Sequence, residues 1–113
     1  MIANVLGTEY SINLGTEKEK PQLRGSDGVC DPYAKEIYLD LSGLNEELTT
    51  RNPIEYYKQV LRHELIHAFF HECGMTDYYL DEKLVDAIAV LWPKLKKLLD
   101  ETKLEDLGIN AVN

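Results

Sequence analysis

Residues 52–74 read NPIEYYKQVLRHELIHAFFHECG, and the fold turns on how this stretch is read. Asn52 is a good N-cap, Pro53 suits the first helical position, and Glu55 has capping-box spacing. Gly74 fits the left-handed position that ends a helix. Between them Leu61, Leu65, Ala68 and Phe69 recur at i, i+4, i+7 and i+8, an apolar stripe on one helical face. The pattern predicts a helix over residues 53–73. Within it His63, Glu64 and His67 fit the zinc-site pattern H-E-x-x-H. Positions four apart share a helical face, so His63 and His67 present two imidazoles to one point. Glu64 flanks that point without ligating, near enough to take a proton from a zinc-bound water.

A catalytic zinc usually takes three protein ligands, so a third must come from elsewhere. Downstream, EKLVD (82–86) carries two carboxylates four apart on one face of a second helix, which begins between Asp77 and Asp81. Glu82 is the candidate third ligand. Asp86, one turn deeper, is placed to accept the free N–H of a ligand histidine and so fix its tautomer. Two rivals stand beside Glu82. His71 is rotated roughly 80° from His63 and displaced by two turns, which strains a shared metal; otherwise it reads as a residue near the negative helix end or at a cleft rim. Asp81 has no carboxylate four positions on and reads as a cap.

Outward from this core, Leu6, Tyr10, Ile12 and Leu14 keep one parity and predict a half-buried strand. GTEKEKPQLRGSDG (15–28) reads as a polar loop. GVCD (28–31), PYAK (32–35) and EIYLDL (36–41) predict a strand, a turn and a return strand, with Ile37, Leu39 and Leu41 inward. SGLNEELTTR (42–51) reads as a loop or a short helical turn. In the second helix Leu84, Ile88, Leu91 and Leu95 form the expected buried stripe. Pro93 predicts a kink or break near Trp92, because it lacks a backbone donor and crowds the preceding turn. The chain then continues as a helix into a frayed tail after Gly108. The expected class is α+β: a small antiparallel or mixed sheet on an active-site helix, then a ligand-bearing helix and a kinked C-terminal helix, in one domain over 1–113.

A net charge of −8 with no lysine or arginine run argues against a nucleic-acid partner, which needs a cationic surface. The charge suits solubility, or a positively charged peptide. The N-terminus has no basic start followed by an apolar run, and no segment approaches the ~18–20 apolar residues of a membrane span. Cys30 and Cys73 stand far apart without a CxxC partner, so neither a disulfide framework nor a zinc ribbon is expected. The expected location is a reducing cytoplasm, with no membrane partner.

HELIH followed by EKLVD resembles the gluzincin pattern of zinc metallopeptidases, HExxH then ExxxD. The small size is similar to that of the minigluzincins and of phage or prophage peptidases related to immunity-repressor peptidases. The resemblance covers the order of elements from about Gly28 to Leu99 and is specific at His63, Glu64, His67, Glu82 and Asp86. It implies one zinc per chain and hydrolysis of a peptide bond in a peptide or protein substrate. It implies a sheet on the active-site helix, and an edge strand above the cleft that pairs with the substrate backbone. By element order that strand is GVCD, with Val29 and Cys30. Larger relatives bring a His or Tyr oxyanion donor from a later domain; Tyr78, Tyr79 and His71 are the candidates here. Such proteins can be held latent by their C-terminal segment. The alternative is a zinc-binding protein, inactive or latent, that works by binding a partner.

Overall fold

The computed structural model describes residues 1–42 and 53–109. The Asn52 cap, the loop over 43–51 and residues 110–113 of the tail lie outside them. The chain forms β1 (Ile2–Val5), β2 (Thr8–Gly15), a 3-10 turn (Pro21–Leu23), β3 (Gly28–Asp31) and β4 (Glu36–Asp40). Then come α1 (Pro53–Glu72), the short α2 (Thr76–Tyr79), α3 (Glu82–Glu101) and a 3-10 turn (Leu104–Leu107). The class is α+β, with a mixed four-stranded sheet ordered β1-β2-β4-β3. β2 and β4 run parallel, the outer pairs antiparallel, and β3 is an edge.

The expected strand through Leu6 is instead a hairpin. Leu6 (φ 51°) and Gly7 (φ 92°) both adopt the left-handed conformation of a two-residue turn, and Val5 pairs with Thr8 across it. Gly7 does so without steric cost, and its N–H donates to Asn4 Oδ1 at 2.7 Å. Leu6 is therefore exposed at the turn, and Leu14 is exposed near the strand end, leaving Tyr10 and Ile12 to face the core. The β3–β4 hairpin forms as expected, but β4 does not alternate: Tyr38 is buried along with its neighbours, and Leu41 is half-buried beyond the strand end. Asp31 Oδ1 accepts from the Tyr33 and Ala34 N–H groups in the turn, and Ile37 and Leu39 are buried.

One face of the sheet supplies Val5, Tyr10, Ile12, Ile37 and Leu39 to a core closed by Ala68, with Val60, Leu61 and Leu65 packed against it. The expected α1 stripe is off by one at its end: Phe69 is exposed and Phe70 is buried, tilted against Tyr78. The cause is a second packed face. α1 lies between the sheet and the α2–α3 segment, so Glu64 and His67 are buried along with its apolar residues. α1 ends as expected around Gly74 (φ 81°), with the Met75 N–H returning to the Phe70 carbonyl.

Glu72, in the last turn of α1, is tied back to the sheet. Tyr10 Oη donates to Glu72 Oε2 at 2.7 Å and Lys35 Nζ at 2.8 Å. Lys35 first, then Thr8 and Tyr10, hold this carboxyl down at about 2. A depressed carboxyl stabilises the fold above its ordinary value near 4.5 and loses that contribution as pH falls toward 2. Tyr10→Phe is therefore expected to cost about 1.5–3 kcal/mol in denaturant melts at neutral pH, the worth of a hydrogen bond to a charged group. The gap between wild type and variant should close as pH falls toward 2.

α3 departs from expectation in two ways. Pro93 does not break it: it is one continuous helix from Glu82 to Glu101, so the ligand-bearing helix and the C-terminal helix are the same element. It also ends at Glu101 rather than near Gly108. Pro93 cannot donate to the Ala89 carbonyl four residues back. Arg62 of α1 donates to that carbonyl instead, Nε to O at 2.8 Å. The buried face of α3 is Val85 and Ala89, small enough for close approach to α1; Leu84 and Ile88 are half-buried, and Leu91 and Leu95 are exposed. Among the described residues no helix is long and apolar enough to cross a membrane.

Candidate metal centre

α1 and the start of α3 bring three side chains together. His63 and His67, one turn apart on α1, place their Nε2 atoms 3.2 Å from each other. Glu82, the first residue of α3, reaches both: Oε2 is 3.0 Å from His63 Nε2 and Oε1 is 3.0 Å from His67 Nε2. Glu82 is held there because Asp81 caps α3, its Oδ1 accepting the Leu84 N–H at 3.1 Å. His63, His67 and Glu82 each offer a ligand atom, all within 4.8 Å of one another. Among the described residues this His-His-Glu group does not include His71 or Asp81.

The donor set suits a zinc ion. Two imidazole nitrogens and a carboxylate are its common ligands, and tetrahedral bonds of about 2.0–2.1 Å give ligand separations of about 3.3 Å. The separations here are 3.0–3.2 Å. The far nitrogens support the same polarity. His67 Nδ1 donates to the Tyr79 carbonyl at 2.5 Å, which leaves the Nε2 lone pair toward Glu82. Burial first of all lowers the His67 pKa, favouring the neutral ring that a metal needs. His63 Nδ1 lies 3.5 Å from Asp86 Oδ1, an ion-pair distance rather than a tight hydrogen bond. Asp86→Asn should lower zinc affinity by about 10–100-fold, less than loss of a ligand, as read by chelator competition.

Glu64 is almost fully buried beside this group, with Oε1 3.9 Å from His63 Nε2. Its Oε2 is buried without a hydrogen-bond partner. Burial, and then the charge of Glu82, raise its pKa to about 8. Gly28 of β3 closes over it: a Cβ at Gly28 would stand 2.8 Å from Val60 Cγ1 and 3.1 Å from Glu64 Cγ.

A cleft of about 510 Å³ opens onto these residues. Ser26–Cys30 form one wall, Tyr56, Gln59, Val60, His63, Glu64 and His67 the floor, and Tyr79, Leu80, Glu82 and Asp86 the other wall. Asp40 N–H bonds to the Asp27 carbonyl. By antiparallel alternation Val29 then faces β4 with its backbone, while the backbone groups of Gly28 and Cys30 face outward. Cys30 packs its side chain against the core, and burial first of all pushes its thiol up to about 12, which keeps it protonated and inert.

The three candidate oxyanion donors separate. Tyr79 lines the cleft, and its Oη donates to the outward Cys30 carbonyl at 3.3 Å. Tyr78 packs on Phe70 and His71 edges onto Tyr33 and Tyr79; neither lines the cleft. No described residue after Asp86 lines it either, the C-terminal turn included. Sequence reasoning missed the Tyr79 carbonyl that orients His67, which no side-chain pattern signals. It also missed Tyr56, which lines the floor and hydrogen-bonds Asp27 across it. Compared with protein-family models, curated proteins and solved structures, the chain matches none of them.

Proposed function

We propose that this chain is a zinc-dependent peptidase whose cleft lies between β3 and the start of α3. The observation that carries the reading is the Glu64 carboxyl, whose Oε2 is buried without a hydrogen-bond partner beside three converging metal-type donors. A helix needs no buried acid at that point for stability, and an unpaired one is costly. His63, His67 and Glu82 would hold the ion, with Asp86 and the Tyr79 carbonyl orienting the two rings. When bound, zinc supplies Lewis acidity and lowers the pKa of a water toward neutrality. Glu64 would take the proton of the attacking water and hand it to the departing amine as the C–N bond breaks. The outward backbone of Gly28 and Cys30 aligns an extended substrate by strand addition. Acidic walls at Asp27, Glu82 and Asp86 favour a substrate with positive charge.

A second reading, a zinc protein that binds a partner or stays latent, rests on Tyr79. Its hydroxyl already occupies the Cys30 carbonyl that a substrate strand would use. One experiment separates the two readings. Zinc content is measured by mass spectrometry, and hydrolysis is measured on a peptide library for wild type and Glu64→Gln. The peptidase reading expects one zinc per chain in both proteins and cleavage only in the wild type. Zinc binding with no cleavage by either protein favours the second reading, and no zinc in either ends both.

A further inference from the structure

We infer that the C-terminal half of α3 docks antiparallel against the same segment of a second copy of this chain. Buried residues of α3 stop at Ala89, and every residue from Val90 to Glu101 is exposed. Leu91, Trp92, Leu95, Leu98 and Leu99 each leave 45–60% of their surface bare. The projecting helix helps raise the radius of gyration to 17.0 Å, against about 13 Å for a compact chain of this length.

The charges that flank this face point to its occupant. Leu84, Ile88, Leu91, Leu95 and Leu98 alternate steps of four and three. Val85, Trp92 and Leu99 flank that stripe and widen it to about three positions in each seven, the apolar face of a helix that packs along another helix. The first two members are half-buried in their own fold and the last three are exposed. Charges beside the seam set its direction. With Leu95 of one copy opposite Leu98 of the other, Lys94 faces Glu101 and Trp92 faces Leu99, and the two-fold axis repeats both pairs. A parallel pairing would set Lys94 against Leu99 and bury a charge against an apolar side chain. Five large side chains from each copy, at roughly 100 Å² apiece, cover about 1,000 Å², near the ~1,200 Å² lower bound for specific interfaces. Leu104 and Leu107 are also exposed and would extend the contact. An anionic membrane fits less well: Lys96 and Lys97 pair within the helix with Asp100 at 2.8 Å and Glu101 at 3.8 Å, and the chain carries −8.

The test is solution mass by sedimentation equilibrium and light scattering on the full chain; it needs no metal. The wild type should weigh twice 12.9 kDa. Leu95→Glu should raise the dissociation constant at least ~100-fold, with an unchanged circular dichroism spectrum because the site is exposed. Lys94→Glu and Glu101→Lys should each weaken the dimer, and the double reversal should restore it. A wild type that stays monomeric at about 100 μM overturns the inference. So does a dimer that survives Leu95→Glu, or one that the double reversal fails to restore. A monomer that sediments with phosphatidylserine vesicles, and ceases to in Leu95→Glu, assigns the face to lipid and overturns it too.

Discussion

Glu82→Ala should weaken zinc binding by more than the ~10–100-fold typical of an orienting partner, with the fold unchanged. Glu82 is the single contribution of α3 to the donor set, and its two oxygens stand 3.0 Å from both histidine Nε2 atoms. Without it two histidines on one helix remain, which is one ligand short of a catalytic zinc site. The fold should persist because Glu82 is exposed and the cap on α3 belongs to Asp81. Chelator competition on wild type, Glu82→Ala and His71→Ala checks this. An unchanged affinity in Glu82→Ala, with loss in His71→Ala, would move the third ligand to α1.

The second large effect concerns Arg62. Its guanidinium fills the carbonyl of Ala89 that Pro93 leaves without a donor, and Ala89 is fully buried. Arg62→Ala should destabilise the domain by about 2 kcal/mol, the range for a buried polar group stripped of its partner. In a Pro93→Ala background the helix regains its own donor to that carbonyl. There Arg62→Ala should cost well under half as much, so a double-mutant cycle in urea should show strong coupling. Additive effects would mean that Arg62 matters through its packing alone.

Arg62 also marks where reading the sequence stops. The predicted kink or break at Trp92 followed from a local rule about proline, and the rule is sound for an isolated helix. A donor from α1, far away in sequence, satisfies the carbonyl that the proline orphans and so removes one of the two reasons for a break. The same holds for Leu91 and Leu95. A helical stripe says that a face is apolar, not how far the partner beneath it extends, and α1 covers α3 only as far as Ala89. Leu6 and Leu14 failed for other reasons. For Leu6, parity ran through a two-residue turn whose only sequence marker is Gly7, with a leucine in a conformation leucine rarely adopts. Leu14 keeps the parity of Tyr10 and Ile12 but lies near the end of β2, where it is left exposed.

The sequence by itself determined what is local and periodic. The apolar run of EIYLD made β4, Asp31 made its turn, Gly74 ended α1, and four-residue spacing put His63 and His67 on one face. Only the tertiary structure decided what depends on pieces distant in the chain. It brought Glu82 within 3.0 Å of both imidazoles, turned the Tyr79 carbonyl onto His67, and laid Gly28 over Glu64. The physical reason is that hydrogen-bonded turns and helical periods are settled among near neighbours. The meeting of α1 with β3 and α3 is settled by which apolar faces bury each other, and that is a property of the whole chain.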